Sequence, residues 1–301
     1  MINIGLIGVG YLGEIHLRNI KEIPEFNFIG FYDNNKKRSK FISNKFQAES
    51  FKSPDELIAK IDAVNIVTPT INHYDYCLQA IDHLKHVFVE KPLVESYEKA
   101  LTIKKKLKNK KLKFQIGHIE RFNPAYTYSK KFIRNPIYIE AHRLTHFKNR
   151  GNDVSVILDL MIHDIDIILN IVDSKIKKIN AKGMKVLSKN TDIANVIIEF
   201  ENGCIANITA SRVATKDVRI MKITESDKQI KMNFLKKESK IEFVKSISNN
   251  KINTANNNQI KDELTSFKNS IINNKKTLIN ITDACKSLNL ANRILKTINN
   301  V

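Results

Sequence analysis

Tryptophan is absent, and only three cysteines, Cys77, Cys204 and Cys285, occur in 301 residues. They lie far apart and form no CxxC pair. That excludes a disulfide framework and a zinc site built on paired thiolates, and it fits a reducing cytoplasm. Glycine and proline are scarce, at nine and six, so the chain is neither collagen-like nor low in complexity. No apolar run approaches the roughly 20 residues that span a bilayer, so no membrane partner is expected. The start, Met1-Ile2-Asn3-Ile4-Gly5-Leu6-Ile7, lacks a basic leader and a small-residue cleavage site, and it reads as a first strand. Acidic side chains are in deficit: 31 Asp and Glu face 50 Lys and Arg, a formal charge of +19.

What is present bounds the chain further. A hydrophobic fraction of 42% excludes general disorder, and at roughly 150 residues per domain the length suggests two domains. The positive field would attract anions. Its lysines, however, are spread along a chain also rich in Ile and Asn, the pattern of compositional drift. The densest run, Lys104-Lys105-Lys106-Leu107-Lys108-Asn109-Lys110-Lys111, ends a helical pattern, where positive charge suits the helix dipole. No zinc-finger spacing or RNA-recognition aromatic pattern accompanies it, so no specific nucleic-acid partner is expected.

Up to residue 118, short β-branched runs alternate with amphipathic stretches: Ile2–Ile7, Asn27–Tyr32, Ala63–Val67, His86–Val89 and Phe114–Gly117 as strands, with helices at Leu12–Glu22, Lys36–Lys45, after Ser53-Pro54, at Tyr74–Ile81 and after Ser96. This alternation predicts a parallel sheet covered on both faces, an α/β dinucleotide-binding domain over 1–118. Residues 119–301 predict an α+β domain for substrate binding and oligomerisation. It comprises a strand at Tyr138–Arg143, a helix at Val156–Ile171 and an open, mainly antiparallel sheet from Ile179 to Val244, with a hairpin signal at Glu201-Asn202-Gly203. Ser246–Asn258 is polar and Asn-rich and reads as a loop. Two terminal helices follow, able to pack back on the first domain, the last capped by Thr282 with Asp283 in its first turn.

Gly8-Val9-Gly10-Tyr11-Leu12-Gly13 is a GxGxxG that follows a strand and opens a helix, and Asp33 ends the next strand. Gly8 permits the tight turn, Gly10 lets backbone approach a pyrophosphate, and Gly13 lets helix and strand pack closely. The helix start, with Tyr11 and Leu12, presents N–H groups to phosphate. Asp33 would accept the adenosine ribose hydroxyls and repel a 2′-phosphate, favouring NAD over NADP, although Lys36, Lys37 and Arg38 lie close by and weaken that preference.

Further pieces follow in order: Thr68-Pro69 with His73, Glu90-Lys91-Pro92, Gly117 followed by Arg121-Phe122-Asn123-Pro124, and Asp159-Leu160-Met161-Ile162-His163-Asp164-Ile165-Asp166. With the glycine motif and Asp33 they resemble the Gfo/Idh/MocA oxidoreductases along nearly the whole chain; Thr70, where many members carry Asn, is a departure. The resemblance implies a Rossmann domain and an α+β domain with the active site between them, and a cis bond before Pro92. It implies cofactor contacts at Thr68, Pro69, His73, Glu90 and Lys91. It also implies substrate contacts at Lys91, Arg121, Asn123, Asp159 and His163.

Carried onto these positions, the family's catalytic triad is Lys91, Asp159 and His163. Oxidising a secondary alcohol requires a group to take the hydroxyl proton and another to stabilise the alkoxide. Asp159 and His163, four apart on a helix, share a face. His163 can act as base, Asp159 can orient it or touch the hydroxyl, and Lys91 can donate to the oxygen. The alternative, a metal pair or a surface salt bridge, lacks an evident third ligand, so no metal is expected. Arg121 is a candidate for substrate or for a structural ion pair. Arg143 and Arg150 are candidates for a phosphate by forked hydrogen bonds or for an acidic neighbour. Within the family, Gly117–Ala125 and Asp153–Asp166 look most like the members that oxidise the 3-hydroxyl of UDP-N-acetylglucosamine with NAD, toward amino sugars of lipid A-type glycolipids. The alternatives are oxidation of inositol or another polyol or free sugar, and a non-catalytic NAD-binding regulator. An open sheet face predicts a homodimer or homotetramer.

Overall fold

The computed structural model describes residues 1–147, 154–244, 249–253 and 257–299. The chain divides into one unit of Met1–Ile119 with Asn258–Cys285 and another of Glu120–Asn257 with Lys286–Val301.

In the first unit the β-branched runs form five parallel strands, β1 (Ile2–Ile7), β2 (Phe26–Tyr32), β3 (Ala63–Ile66), β4 (His86–Glu90) and β5 (Phe114–Gly117), in the order β2-β1-β3-β4-β5. Every residue of β3 and β5 is buried, as expected of parallel strands covered on both faces. The order turns back at β1 and β3, the topological switch point where open α/β sheets bind ligands. Helices α1 (Tyr11–Lys21), α2 (Lys36–Phe46), α3 (Pro54–Ala59), α4 (His73–Asp82) and α5 (Tyr97–Leu107) connect the strands. The sequence marks two of their starts: Ser53 Oγ accepts from Glu56 N–H at 3.2 Å, with Pro54 in the first turn, and Ser96 Oγ accepts from Lys99 N–H at 3.3 Å.

The second unit holds α6 (Pro124–Ser129), strand β6 (Tyr138–Leu144), helix α7 (Ile162–Ile171) and strands β7 (Ile176–Met184), β8 (Ile193–Phe200), β9 (Ile205–Ser211), β10 (Val218–Thr224), β11 (Lys228–Asn233), β12 (Glu238–Phe243) and β13 (Asn249–Asn253). They form a sheet of order β13-β12-β11-β10-β6-β9-β8-β7, in which only the β6–β9 pair is parallel. Period-two burial is plain in β8 and β9: Ala194, Val196, Ile198 and Phe200 face inward with Ala206, Ile208 and Ala210. The hairpin at Glu201-Asn202-Gly203 turns on Gly203, whose φ of +86° suits a residue without a side chain. After this sheet, α8 (Gln259–Ile272) returns to the first unit, where Leu264 and Phe267 pack with Ile4, Ile20 and Phe88. The last helix is α9 (Ile281–Asn299). Among the described residues no helix is long and apolar enough to cross a membrane.

Three local expectations give way. The Asn-rich stretch after Val244 is not wholly loop: β13 pairs antiparallel with β12, because an open strand edge offers N–H and C=O groups to any backbone that meets it. The cap of α9 is Asn280, not Thr282: Asn280 Oδ1 accepts from Thr282 N–H at 2.8 Å, while Asp283 Oδ2 accepts from Asn280 N–H at 3.0 Å, a reciprocal box. The helix over Val156–Ile171 opens with a π-helical turn, Ile157–Met161, before α7 begins.

Charge is buried in pairs. Arg143, only 2% exposed, forks onto Asp164 (Nε–Oδ2 2.8 Å, Nη2–Oδ1 3.0 Å) and reaches Glu120 Oε1 at 2.8 Å. Burial opposes its charge, and the two carboxylates more than restore it, raising its pKa. Arg143→Leu would take the forked cation from buried Asp164 and leave Glu120 only Arg219, at 3.7 Å. It is expected to lower stability by about 3–5 kcal/mol, read from urea unfolding. At the surface, Glu14 in the first turn of α1 meets Lys45, Arg38 and Arg18. Its hydrogen bond from Lys45, above all, takes its pKa down from the ordinary 4.5 to about 2 despite an opposing effect of burial, with Arg38 and Arg18 adding to the fall. A depressed folded pKa stabilises fully above the unfolded value, and the gain is lost as pH falls toward the folded one. Glu14→Gln should therefore cost about 1–2 kcal/mol at neutral pH, after solvent screening, and nothing below about pH 2, as measured by urea unfolding across pH.

Candidate active site

At the end of β1 the chain turns on Gly8, whose φ is +91°, and enters α1 through Gly10. A Cβ on Gly13 would lie 2.1 Å from the Gly8 carbonyl oxygen, so only glycine lets the helix start this close to the strand. A Cβ on Gly10 would meet nothing within 4 Å. No side chain caps α1, and Tyr11 and Leu12 at its start are exposed. Asp33, half-buried just past β2, accepts from Val9 N–H at 2.8 Å and from Asn35 N–H at 2.8 Å. Arg38, which with Lys36 and Lys37 lies close to Asp33 in sequence, is turned to internal use. Its Nε donates to Val9 O at 2.7 Å, and its Nη2 donates to Gly10 O at 3.2 Å and to Glu14 Oε2 at 2.7 Å. The open space at Gly10, the uncapped helix start and the carboxylate at the end of β2 fit a dinucleotide: pyrophosphate over Gly10 and α1, ribose hydroxyls at Asp33.

Thr68 and Pro69 follow β3 and are partly or fully exposed, whereas His73 is buried. Both ring nitrogens of His73 meet carbonyl oxygens, Nδ1 that of Pro92 at 3.0 Å and Nε2 that of Thr68 at 2.8 Å. Burial lowers its pKa, and the two carbonyls oppose that fall. His73 is thus a strap between the turn at Thr68 and the turn at Pro92. The Glu90 carboxylate points inward, 3.1 Å from His16 Nε2 and beneath Gly117, where a Cβ would sit 2.6 Å from Glu90 Oε1. Its other oxygen accepts from Lys91 N–H at 3.2 Å. Lys91 is half-buried at the strand end, and the Lys91–Pro92 bond is cis.

In the second unit, Asp159 lies in the π-helical turn and is half-buried, while His163 in α7 is 9% exposed. Near-continuous apolar residues bury α7 on most sides, with Ile165, Ile167 and Ile168 fully enclosed. Its acids Asp164 and Asp166 are taken by arginines, Asp164 by Arg143 and Asp166 by Arg121 (Nε–Oδ2 2.5 Å, Nη2–Oδ1 2.9 Å). Asn123 caps α6 through Ala125 N–H at 3.0 Å and donates to Glu120 Oε2 and Phe234 O. In the structure Arg121 and Arg143 engage buried carboxylates, and Asn123 caps a helix. Arg150 lies outside the described residues. Sequence reasoning missed His16, Arg38 and Glu263 as parts of the site's frame. A histidine three residues after Gly13 and an arginine five after Asp33 were the available signals.

Comparison with known proteins agrees with this architecture. Residues 2–118 match the model of an oxidoreductase family with an NAD-binding Rossmann fold, and residues 115–226 match the GFO/IDH/MocA C-terminal domain. The chain is 35% identical to UDP-N-acetylglucosamine 3-dehydrogenase of Acidithiobacillus ferrooxidans over 77% of its own length and 74% of that protein's. It is 29% identical to scyllo-inositol 2-dehydrogenase (NAD⁺) of Bacillus subtilis over 71% and 68%. Among solved structures, that of the Acidithiobacillus ferrooxidans UDP-N-acetylglucosamine 3-dehydrogenase superposes with a TM-score of 0.94 at 30% identity, covering 99% of this chain and 98% of that one. The parallel-sheet unit with its glycine turn, and the likeness that runs over both units, lead to one conclusion: the chain belongs to the GFO/IDH/MocA family, as an NAD-binding dehydrogenase that acts on CH–OH groups.

Proposed function

We propose that the protein oxidises the 3-hydroxyl of UDP-N-acetylglucosamine, or of a close nucleotide sugar, to the ketone. The observation that carries this reading is the likeness to the Acidithiobacillus ferrooxidans enzyme, in sequence over three quarters of the chain and in fold over 99% of it. A nucleotide sugar would feed an aminotransferase that makes a 3-amino sugar. The second reading is oxidation of a cyclic polyol, supported by the 29% identity to the Bacillus subtilis inositol enzyme.

The proton chemistry falls to Lys91, Asp159 and His163. His163 takes the hydroxyl proton, and Asp159 orients the imidazole and stabilises its charged form. Lys91 donates a hydrogen bond to the oxygen as negative charge develops there. NAD, when bound, accepts the carbinol hydride. Asp33 holds the ribose diol and disfavours a 2′-phosphate, and Arg38, already engaged with Val9, Gly10 and Glu14, offers that phosphate little. With an open sheet in the second unit, the working form is a homodimer or homotetramer.

Purified protein is expected to form NADH with UDP-N-acetylglucosamine and not with myo-inositol, scyllo-inositol or glucose; turnover confined to an inositol would favour the second reading. Lys91→Ala and His163→Ala should each lower kcat by about 10²–10⁴-fold while leaving NAD affinity within about threefold, as measured by steady-state kinetics and calorimetry. Asp33→Ser should weaken NAD about tenfold or more and raise the ratio of NADP to NAD turnover.

A further inference from the structure

Beneath Lys91 the first unit buries a polar cluster that the reaction chemistry does not use. His16 on α1 and Glu263 on α8 have no exposed surface, and Glu90 at the end of β4 is 8% exposed. One ligating atom from each, an imidazole nitrogen and two carboxylate oxygens, lie within 4.8 Å of one another. Asn65 on β3 places its Nδ2 2.9 Å from His16 Nδ1. An amide donor there places the imidazole hydrogen on Nε2, which lies 3.1 Å from Glu90 Oε1 without the geometry of a hydrogen bond. Both oxygens of Glu263 are buried without a hydrogen-bond partner in the structure, although Gln115 donates to the Glu263 backbone carbonyl at 2.8 Å.

We infer that His16 and Glu263 are positioning residues for Lys91, acting through the Glu90 carboxylate. Glu90 joins the buried cluster to the half-buried Lys91: one oxygen lies 3.1 Å from His16 Nε2, and the other accepts the Lys91 N–H at 3.2 Å. Two ionised carboxylates cannot share a dry pocket of this size, so one of them keeps its proton. That one is Glu263, whose pKa burial raises well above the ordinary carboxyl value, with the charges of Glu90 and Asp262 adding to the rise. As a neutral acid Glu263 is a donor, and Glu90 is the acceptor within one side-chain rotation or one bridging water. The charged and titratable groups facing the cluster are His16 from α1, Glu90 from β4 and Asp262 from α8, with His73 from α4 on the Glu90 side. The close His16 imidazole and a proton on Glu263 then hold the Glu90 carboxylate and, through it, the backbone of Lys91. The inference rests on the proposed catalytic role of Lys91.

The test compares full-length wild type, Glu263→Gln, Glu263→Leu and Lys91→Ala. Glu263→Leu should lower kcat about tenfold or more on the alcohol that the substrate panel identifies, with KM and NAD affinity within about threefold. Glu263→Gln, which keeps a neutral donor, should recover kcat to within about threefold. In protein without cofactor or substrate, the rate of amine labelling at Lys91 should change about threefold or more in Glu263→Leu and little in Glu263→Gln. A neutral buried acid has a folded pKa above its unfolded one, so its contribution is lost as pH rises. The urea midpoint of Glu263→Gln should therefore gain on wild type steadily from about pH 5 to about pH 8. This last comparison still judges the inference where Glu263→Leu does not fold. Wild-type turnover and Lys91 labelling in folded Glu263→Leu would overturn it. So would a flat midpoint difference with pH, or a stoichiometric metal ion in the purified protein. Full activity in Lys91→Ala would instead overturn the catalytic reading of Lys91, leaving the labelling result to judge the positioning.

Discussion

The approach of α1 to β1 at Gly13 is the contact on which the nucleotide-binding end of the molecule depends. With a Cβ the helix would have to stand off from the Gly8 carbonyl, to which that atom would come within 2.1 Å. The helix start would then no longer lie at the strand end, and the backbone donors that welcome phosphate would be displaced. Neighbouring side chains hold that arrangement in place. Asp33 receives the Val9 N–H, Arg38 bridges the Val9 and Gly10 carbonyls, and Glu14 holds Arg38. The turn is thus fixed before any ligand arrives, which lowers the ordering cost of binding.

The second unit uses charge differently. Around α7 the ions are buried and matched, Arg121 with Asp166 and Arg143 with Asp164 and Glu120. Such pairs contribute little net stability but make alternative packings costly, because any shift exposes a lone charge to the interior. On the same run, Asp159 stays half-buried. Elsewhere lysines pair at the surface, as Lys45 does with Glu14 and Lys106 with Asp82, where solvent screens each contact.

The parallel sheet, the glycine turn, Asp33 and the hairpin at Gly203 were legible in the sequence because each depends on neighbours within a few residues. Partnerships across long separations were not. Nothing near Arg121 announces its ion pair with Asp166, 45 residues on, nor anything near Arg143 its pair with Asp164, 21 residues on. Glu263 lies far from the glycine motif in sequence, and nothing local ties it to His16. The strand β13 escaped for a related reason, since polar residues with weak strand preference are recruited by an edge the sequence cannot display. Asn280 displaced Thr282 as a cap because the reciprocal hydrogen bond with Asp283 sets the helix start two residues earlier.

The π-helical turn at Ile157–Met161 carries one residue more than an α-helical path would need. Each residue of a regular helix advances the side-chain direction by roughly 100°, so that surplus residue sets where Asp159 points relative to His163. Losing a single codon here would swing the carboxylate around the helix axis while leaving α7 and its buried arginine partners in place. A lineage can thereby turn one acid about the helix axis in one genetic step, at little expense to the core.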